Sequence, residues 1–557
     1  MIDFNANPFF LKKEEIDWVN QTYEKMTLRE RIGQLFCPIL FTKDEKELAA
    51  FLKKYAPGGI LYRECSGQEL LKAHRFLQEK SKIPLLTASN LETGGNGSAS
   101  EATYFGRQML VAASGKSECA RDYAKVCCSE GRALGVNWAF APVCDIDRNY
   151  HNPIINVRSF GNNPDTVCKM SLEYLKAAKE EGIACAPKHF PGDGIDERDQ
   201  HLLTSVNSLS REEWDSTYGK IYQTLIDEGT LTIMAGHIAL PCYESQKDKI
   251  VPATLSKALL KNLLREKLHF NGLIVTDATP MVGFCSAMER KKSVPLAIEN
   301  GCDMFLFNKN IDEDYMYMEE GIKSGLLSQE RFEDAVKRIL AVKAALKLNQ
   351  KEKLHPQLSE KEALNILSSA DHVQKAEKCA DLGITLVKNK QKILPLNPVK
   401  HKRVLLEILG DFESNGRVKN TFIQELSACG FEVTVYQKEG FEVLEDSVEN
   451  FKSKYDLVLY AANIETASNR TTARINWHTM FGLGNNIPWM VEEVPVIFIS
   501  LGNPYHLLDA PMVKTYINCY CNSDFVIKAV IKKLLGKSDF KGQSPVDAFC
   551  GRKDLEA

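Results

Sequence analysis

The first 345 residues alternate short apolar runs with longer amphipathic segments, and this alternation constrains the fold more than any other feature. The runs are 33–40, 59–63, 84–90, 136–145, 183–190, 232–238, 272–277 and 303–308. Each is rich in Ile, Val, Leu or Phe, and most follow Gly, Pro or another turn former. Continuous apolar runs of this length suit strands covered on both faces. Helical periodicity falls between them, as at 119–134, 165–181 and 211–228. Eight β-α units in roughly 340 residues is the arithmetic of a (β/α)8 barrel with insertions. A doubly wound open sheet is the competing arrangement of the same elements.

Residues 346–370 are charged and helical, with Lys351, Glu352 and Lys353 shortly before Pro356, and read as a linker. A second α/β pattern follows over 371–557. Its strand candidates are 403–409, 431–436, 456–464, 494–502 and 515–520, and its helix candidates are 421–429, closed by Gly430, and 525–535. The expected architecture is therefore a (β/α)8 barrel over 1–345, a linker, and a smaller C-terminal α/β sandwich. No internal repeat is visible.

Composition narrows the function. Lys and Arg number 70 against 73 Asp and Glu, a net charge of −3. That balance provides no basic field for nucleic acid. No apolar stretch reaches the roughly 18 residues of a membrane span. The start, MIDFNANPFFLKKEEIDWVN, lacks a basic segment followed by an apolar run, so a cytoplasmic location is expected. The 16 cysteines contain no C-x-x-C pair and read as reduced, mostly buried thiols. His and Cys do not cluster at ligand spacing, so no metal is expected. Gly115-Lys116-Ser117 and Gly536-Lys537-Ser538 lack the earlier glycine of a phosphate loop, Leu110 and Ile531 standing in its place. No cofactor is expected, and oligomeric state has no signature in the sequence.

Polar residues end the apolar runs. Asn90 ends the third, and Asp145 the fourth. Lys188 and His189 lie near the end of the fifth, and His237 near the end of the sixth. Asp277 and Asn308 end the seventh and eighth. In a barrel these positions converge on one mouth, where catalytic groups sit. After the fifth run comes a Gly- and Pro-punctuated loop carrying Asp193, Asp196, Glu197, Asp199 and His201. Asp199 and His201 are two residues apart, so the carboxylate can reach the imidazole. A carboxylate on one ring nitrogen fixes the tautomer and leaves the other nitrogen to shuttle a proton.

Several ordered segments resemble glycoside hydrolase family 3, and within it the β-N-acetylglucosaminidase branch. They are Ala141-Pro142-Val143-Cys144-Asp145-Ile146-Asp147, Arg158-Ser159-Phe160-Gly161, Lys188-His189-Phe190-Pro191-Gly192, Asp199-Gln200-His201 and Gly272-Leu273-Ile274-Val275-Thr276-Asp277. Gly383-Ile384-Thr385-Leu386-Val387-Lys388-Asn389, followed by Leu394-Pro395-Leu396, resembles the entry to the family's second domain. The resemblance implies a retaining mechanism with Asp277 as nucleophile, His201 as acid and base, and Asp199 orienting His201. An imidazole, titrating near 6.5 in solution, suits a group that both gives and takes a proton. The resemblance further implies that Lys188, His189 and Arg158 bind sugar hydroxyls, with Asn90 and His237 also expected to line the site.

Two positions depart from the family pattern. Asn90 stands where the family has an aspartate, in Asn90-Leu91-Glu92-Thr93-Gly94-Gly95, and the next arginine is Arg107. Asp193 stands where K-H-F-P-G-H-G has its last histidine. The expected activity is removal of a terminal β-linked N-acetylglucosamine from a small carbohydrate, with cell-wall muropeptide recycling as the context the branch implies. A β-N-acetylglucosaminide phosphorylase, a β-glucosidase-like hydrolase and a degenerate sugar-binding protein are the alternatives. In the second domain, Asn503-Pro504-Tyr505 is the most site-like segment.

Overall fold

The computed structural model describes residues 1–556 apart from 64, 245–249, 351, 353, 355–357, 438–445 and 481–482. By internal contacts the chain forms two units. The first comprises Met1–Phe105, Ala120–Asn149 and Pro164–Val373, the second Gly106–Cys119, Tyr150–Asn163 and Gln374–Ala557.

The first unit is a parallel barrel. Its strands are β1 (Phe36–Cys37), β2 (Ile39–Leu40), β3 (Gly59–Tyr62), β4 (Leu86–Ser89), β5 (Trp138–Ala139), β6 (Ala184–Cys185), β7 (Thr232–Ala235), β8 (Leu273–Thr276) and β9 (Phe305–Leu306). β1 and β2 are one barrel strand interrupted at Pro38, so the described strands occupy eight places, each within an expected apolar run. β2 to β6 pair in sequence, and β7 pairs with β8. Met234 N–H donates to Pro187 O at 3.0 Å, and Phe190 bridges Ala235, which joins the β6 end to β7. Val275 bridges Met304, and Phe305 pairs with Phe36, which closes the ring. This settles the choice between a barrel and an open sheet.

The barrel helices follow from amphipathic spacing. Pro164–Glu180 opens on a proline, whose missing N–H costs nothing at a helix start. It buries Val167, Met170, Ser171, Tyr174, Leu175 and Ala178, residues three or four apart, on one face. Burying Leu175 alone contributes about 2 kcal/mol. The segment expected as a linker, 346–370, belongs to the first unit by contacts. Its Ala363 is fully buried in a cluster with Leu70, Leu71 and Leu77, and Leu364 and Leu367 pack against it. Lys351, Lys353 and Pro356 lie outside the described residues.

The second unit holds a six-stranded sheet. Its strands are β10 (Thr385–Asn389), β11 (Arg403–Leu409), β12 (Glu432–Val435), β13 (Leu457–Ala462), β14 (Val496–Ser500) and β15 (Thr515–Asn518). The order is β10-β15-β14-β13-β11-β12, parallel except for β10 at one edge. One face carries Leu405, Val458, Val496, Tyr460, Phe498 and Tyr516 into a shared core. Sequence periodicity located every strand here but β10. That edge strand is half-buried and bulged between Leu386 and Lys388, so it shows no continuous apolar run.

Candidate active site

Asp277 follows β8, and its backbone N–H donates to Ala235 O at 2.7 Å, anchoring it beside the end of β7. One carboxylate oxygen accepts from Ala278 N–H at 2.7 Å. The other lies 3.9 Å from His189 Nε2. Burial alone would raise the Asp277 pKa. The neighbouring imidazoles, His189 foremost and then His237 and His201, together with the Ala278 N–H outweigh it, and hold the carboxyl below the ordinary carboxylate range. The imidazoles around it thus favour the charged form of a largely enclosed carboxyl group.

His201 Nδ1 lies 2.6 Å from Asp199 Oδ1, which also accepts the His201 backbone N–H at 2.9 Å. Asp199 is fully enclosed, while the His201 side chain is 22% exposed. The carboxylate accepts a hydrogen bond from Nδ1–H, which turns Nε2 away from it. The backbone turns from Asp199 to Leu202, and His201 O accepts from Val282 N–H at 3.0 Å. The loop therefore rests on the turn that follows Asp277.

A second carboxylate–imidazole couple lies deeper. His189 Nδ1 is 2.6 Å from Asp145 Oδ2, and Asp145 Oδ1 accepts the backbone N–H groups of His189 and Asp193 at 3.1 and 2.7 Å. Lys188 Nζ is ion-paired with Glu92. Glu92 is held by its backbone, since Tyr174 donates to Leu91 O at 2.8 Å and Tyr123 donates to Glu92 O. The HFPGDG turn needs its glycines. Gly192 and Gly194 adopt φ of +120° and +94°, and a Cβ would meet the Tyr218 ring at 2.1 Å or Ile146 O at 2.1 Å.

The structure gathers Asp277, Asp199, His201, Lys188, His189, His237 and Asn90 on the loops after the barrel strands. His237 is fully buried with Nε2 2.9 Å from Ala278 O and Nδ1 3.0 Å from Thr254 Oγ1. Burial holds its pKa below the usual imidazole range against the pull of Asp277. Both ring nitrogens are engaged by protein, which places His237 as a support for the backbone beside Asp277. Arg158 belongs to the second unit, where it donates to Ile154 O at 3.3 Å. Arg107 pairs with Glu465 at 2.8 Å, and Asn503 accepts from Asn156 at 3.1 Å, all within that second unit. Asp145, Glu92, Gln200 and Asp193 were not singled out as site residues from sequence. Asp145 had a visible signal, a charge ending an apolar run.

Residues 27–342 match the model of the glycosyl hydrolase family 3 N terminal domain. The chain belongs to glycosyl hydrolase family 3. Over its full length it is 42% identical to a beta-N-acetylglucosaminidase/beta-glucosidase of Cellulomonas fimi, all of which it covers. It is 30% identical over 65% of its length to beta-hexosaminidase A of Pseudoalteromonas piscicida, covering 64% of that protein. Its fold superposes with a TM-score of 0.94 on the beta-glucoside phosphorylase BglX bound to 2FGlc, at 42% identity, covering 98% of this chain and 99% of that one. This family 3 chain is thus a glycoside hydrolase-type enzyme acting on O-glycosyl bonds. Among the described residues no helix is long and apolar enough to cross a membrane.

Proposed function

We propose that this family 3 enzyme is a retaining exo-β-N-acetylglucosaminidase that removes terminal β-linked N-acetylglucosamine, with glucosides as secondary substrates. The observation that carries the reading is that an Asp199-backed imidazole, His201, sits on a loop that rests on the turn following Asp277. In the first step an Asp277 oxygen attacks the anomeric carbon while the bond to the aglycone oxygen breaks, and His201 Nε2 protonates that oxygen. In the second step water attacks the anomeric carbon, gives its proton to Nε2, and releases Asp277. Retaining hydrolysis needs one group on each face of the bond, and here an imidazole replaces the usual second carboxylate. Lys188, His189 and Asn90 hold sugar hydroxyls, and the Lys188–Glu92 pair fixes the ammonium group in place. We place this role in the cytoplasm, in the recycling of cell-wall fragments; most of the 16 cysteines are buried, which fits a reducing compartment.

The test is twofold. A slow 2-deoxy-2-fluoro glycoside should leave a glycosyl adduct on Asp277 by mass spectrometry, and the first-formed sugar should be the β-anomer. An α-product would overturn the mechanism. A second reading, phosphorolysis, draws on the likeness to the phosphorylase BglX. Once His201 has given up its proton, a neutral imidazole does not repel phosphate as a carboxylate would. Turnover in phosphate buffer separates the readings: a glycosyl phosphate means phosphorolysis, free sugar means hydrolysis.

A further inference from the structure

We propose that Gln200, with Asp193, is a positioning residue that pins the part of the loop carrying Asp199 and His201 to the Gly192-Asp193-Gly194 turn at the loop's start and to the backbone just after β7. The inference rests on the reading of His201 as the acid and base. Gln200 lies between those two residues in sequence, yet it is 1% exposed and faces inward. Its amide makes two opposed bonds. Oε1 accepts the His237 backbone N–H at 2.8 Å, and Nε2 donates to Asp193 Oδ2 at 3.4 Å. One end of the amide therefore grips the backbone just after β7, and the other the turn at the start of the loop.

Asp193 is held rigidly enough to serve as the anchor. Its backbone N–H donates to Asp145 at 2.7 Å, its Oδ1 accepts Gly194 N–H at 2.7 Å, and its carbonyl accepts from Tyr218 at 2.6 Å. Asp145 is the carboxylate that holds His189. The pin thus links the two carboxylate–imidazole couples: Asp199–His201 through Gln200 to Asp193, and Asp193 to Asp145–His189. Space is reserved for the amide as well. A Cβ at Gly236 would sit 3.1 Å from Gln200 Oε1. The departure at 193 from the family's histidine has a reason here: a carboxyl oxygen accepts from the Gln200 amide N–H.

A two-residue couple on a loop is only as well aimed as the loop. With the pin removed, the Asp199–His201 bond survives, because it is local, but Nε2 loses its fixed position toward the leaving oxygen. Proton donation should fail while nucleophilic attack persists.

The test compares a phenyl with a 2,4-dinitrophenyl β-N-acetylglucosaminide in Gln200→Ala, Asp193→Ala, the double variant and the reversed pair Gln200→Glu with Asp193→Asn. Expected is a loss of about tenfold or more in kcat/KM for the phenyl substrate in each alanine variant, and about threefold or less for the dinitrophenyl one, kcat/KM reporting the step in which the leaving group departs. The double variant should be no worse than the more affected single one, since the two share one bond. The reversed pair keeps an acceptor for His237 N–H and restores a donor–acceptor contact, so it should recover most of the phenyl rate. Equal losses on both substrates, additive losses, or a failed reversal in a variant of native thermal stability would overturn the proposal. His201→Ala is the control. If it also treats the two substrates alike, the acid assignment falls and the pin with it; if it discriminates and Gln200→Ala does not, only the pin falls.

Discussion

At the mouth of the barrel the buried carboxylates Asp145 and Asp199 each hold an imidazole at 2.6 Å. At the opposite end, Asp303 and Asp334 hold guanidinium groups instead. Asp303 is fully buried just before β9 and pairs with Arg265 at 2.5 Å and with Arg331. Asp334 pairs with Arg331 at 2.8 Å and Arg338 at 3.0 Å. Arg265 and Arg338 in turn donate to the backbone that enters β8, at Phe270, Gly272 and Asn271. Both ends bury charge, and the choice of cation separates their roles. A guanidinium stays charged and uses its whole fork on fixed partners, so it braces strands but moves no proton. An imidazole gains and loses its proton near neutrality and keeps one nitrogen free. The mouth is therefore built for chemistry and the floor for stability, as a barrel's two faces usually divide.

That division can be broken experimentally, and the largest effect lies at the mouth. Asp277→Ala should lower kcat by about 10⁴-fold or more with little change in folding stability, measured on an aryl β-N-acetylglucosaminide. Retained turnover would end the nucleophile assignment. His201→Ala should cost about 10²- to 10³-fold in kcat/KM on a phenyl glycoside and far less on a dinitrophenyl one, since good leaving groups need little protonation. Asp303→Ala inverts the pattern. It leaves Arg265 and Arg331 facing each other without their shared carboxylate, and should cost about 3 to 5 kcal/mol in urea unfolding while kcat of the folded enzyme is unchanged. A drop in kcat without loss of stability would contradict the separation of the two ends.

Smaller effects sharpen the comparison through pH. The His189 imidazole is the foremost favourable neighbour holding Asp277 ionised. His189→Gln removes it, so Asp277 becomes harder to ionise and the acid limb of kcat/KM should move to higher pH. An unmoved limb would mean that His189 does not govern the charge of Asp277. At the floor, Arg338 and Arg331 overcome burial and pull the Asp334 pKa down to about 2. A carboxyl lowered on folding stabilises the fold above its unfolded pKa near 4 and loses that contribution as pH falls toward 2. Asp334→Asn should therefore remove about 2 kcal/mol of stability at neutral pH and flatten the loss between pH 4 and 2. Activity per folded molecule should stay as it was.

Much of this was legible in the chain because it depends on neighbours in sequence. The eight apolar runs announce the barrel strands, since a strand covered on both faces must be apolar throughout. Asp199 and His201 could be paired on paper because two residues of loop suffice to join them. Thr385–Asn389 was missed as a strand because one of its faces is half-open and its pattern is interrupted at a bulge. Asp145 was seen as a strand end, but its partner was not. His189 lies 44 residues away, and nothing in local periodicity says which imidazole it meets.

By itself, then, the sequence determined which segments become strands, which residues stand at their ends, and which family the motifs resemble, because burial periodicity and turn chemistry act over a few residues. The tertiary structure alone decided which buried charges meet. Asp145 with His189, Glu92 with Lys188, Gln200 between Asp193 and His237, and the arginine floor all depend on barrel closure and strand register. Those are global quantities, fixed only when all eight strand places are filled and each loop is brought back to the same rim.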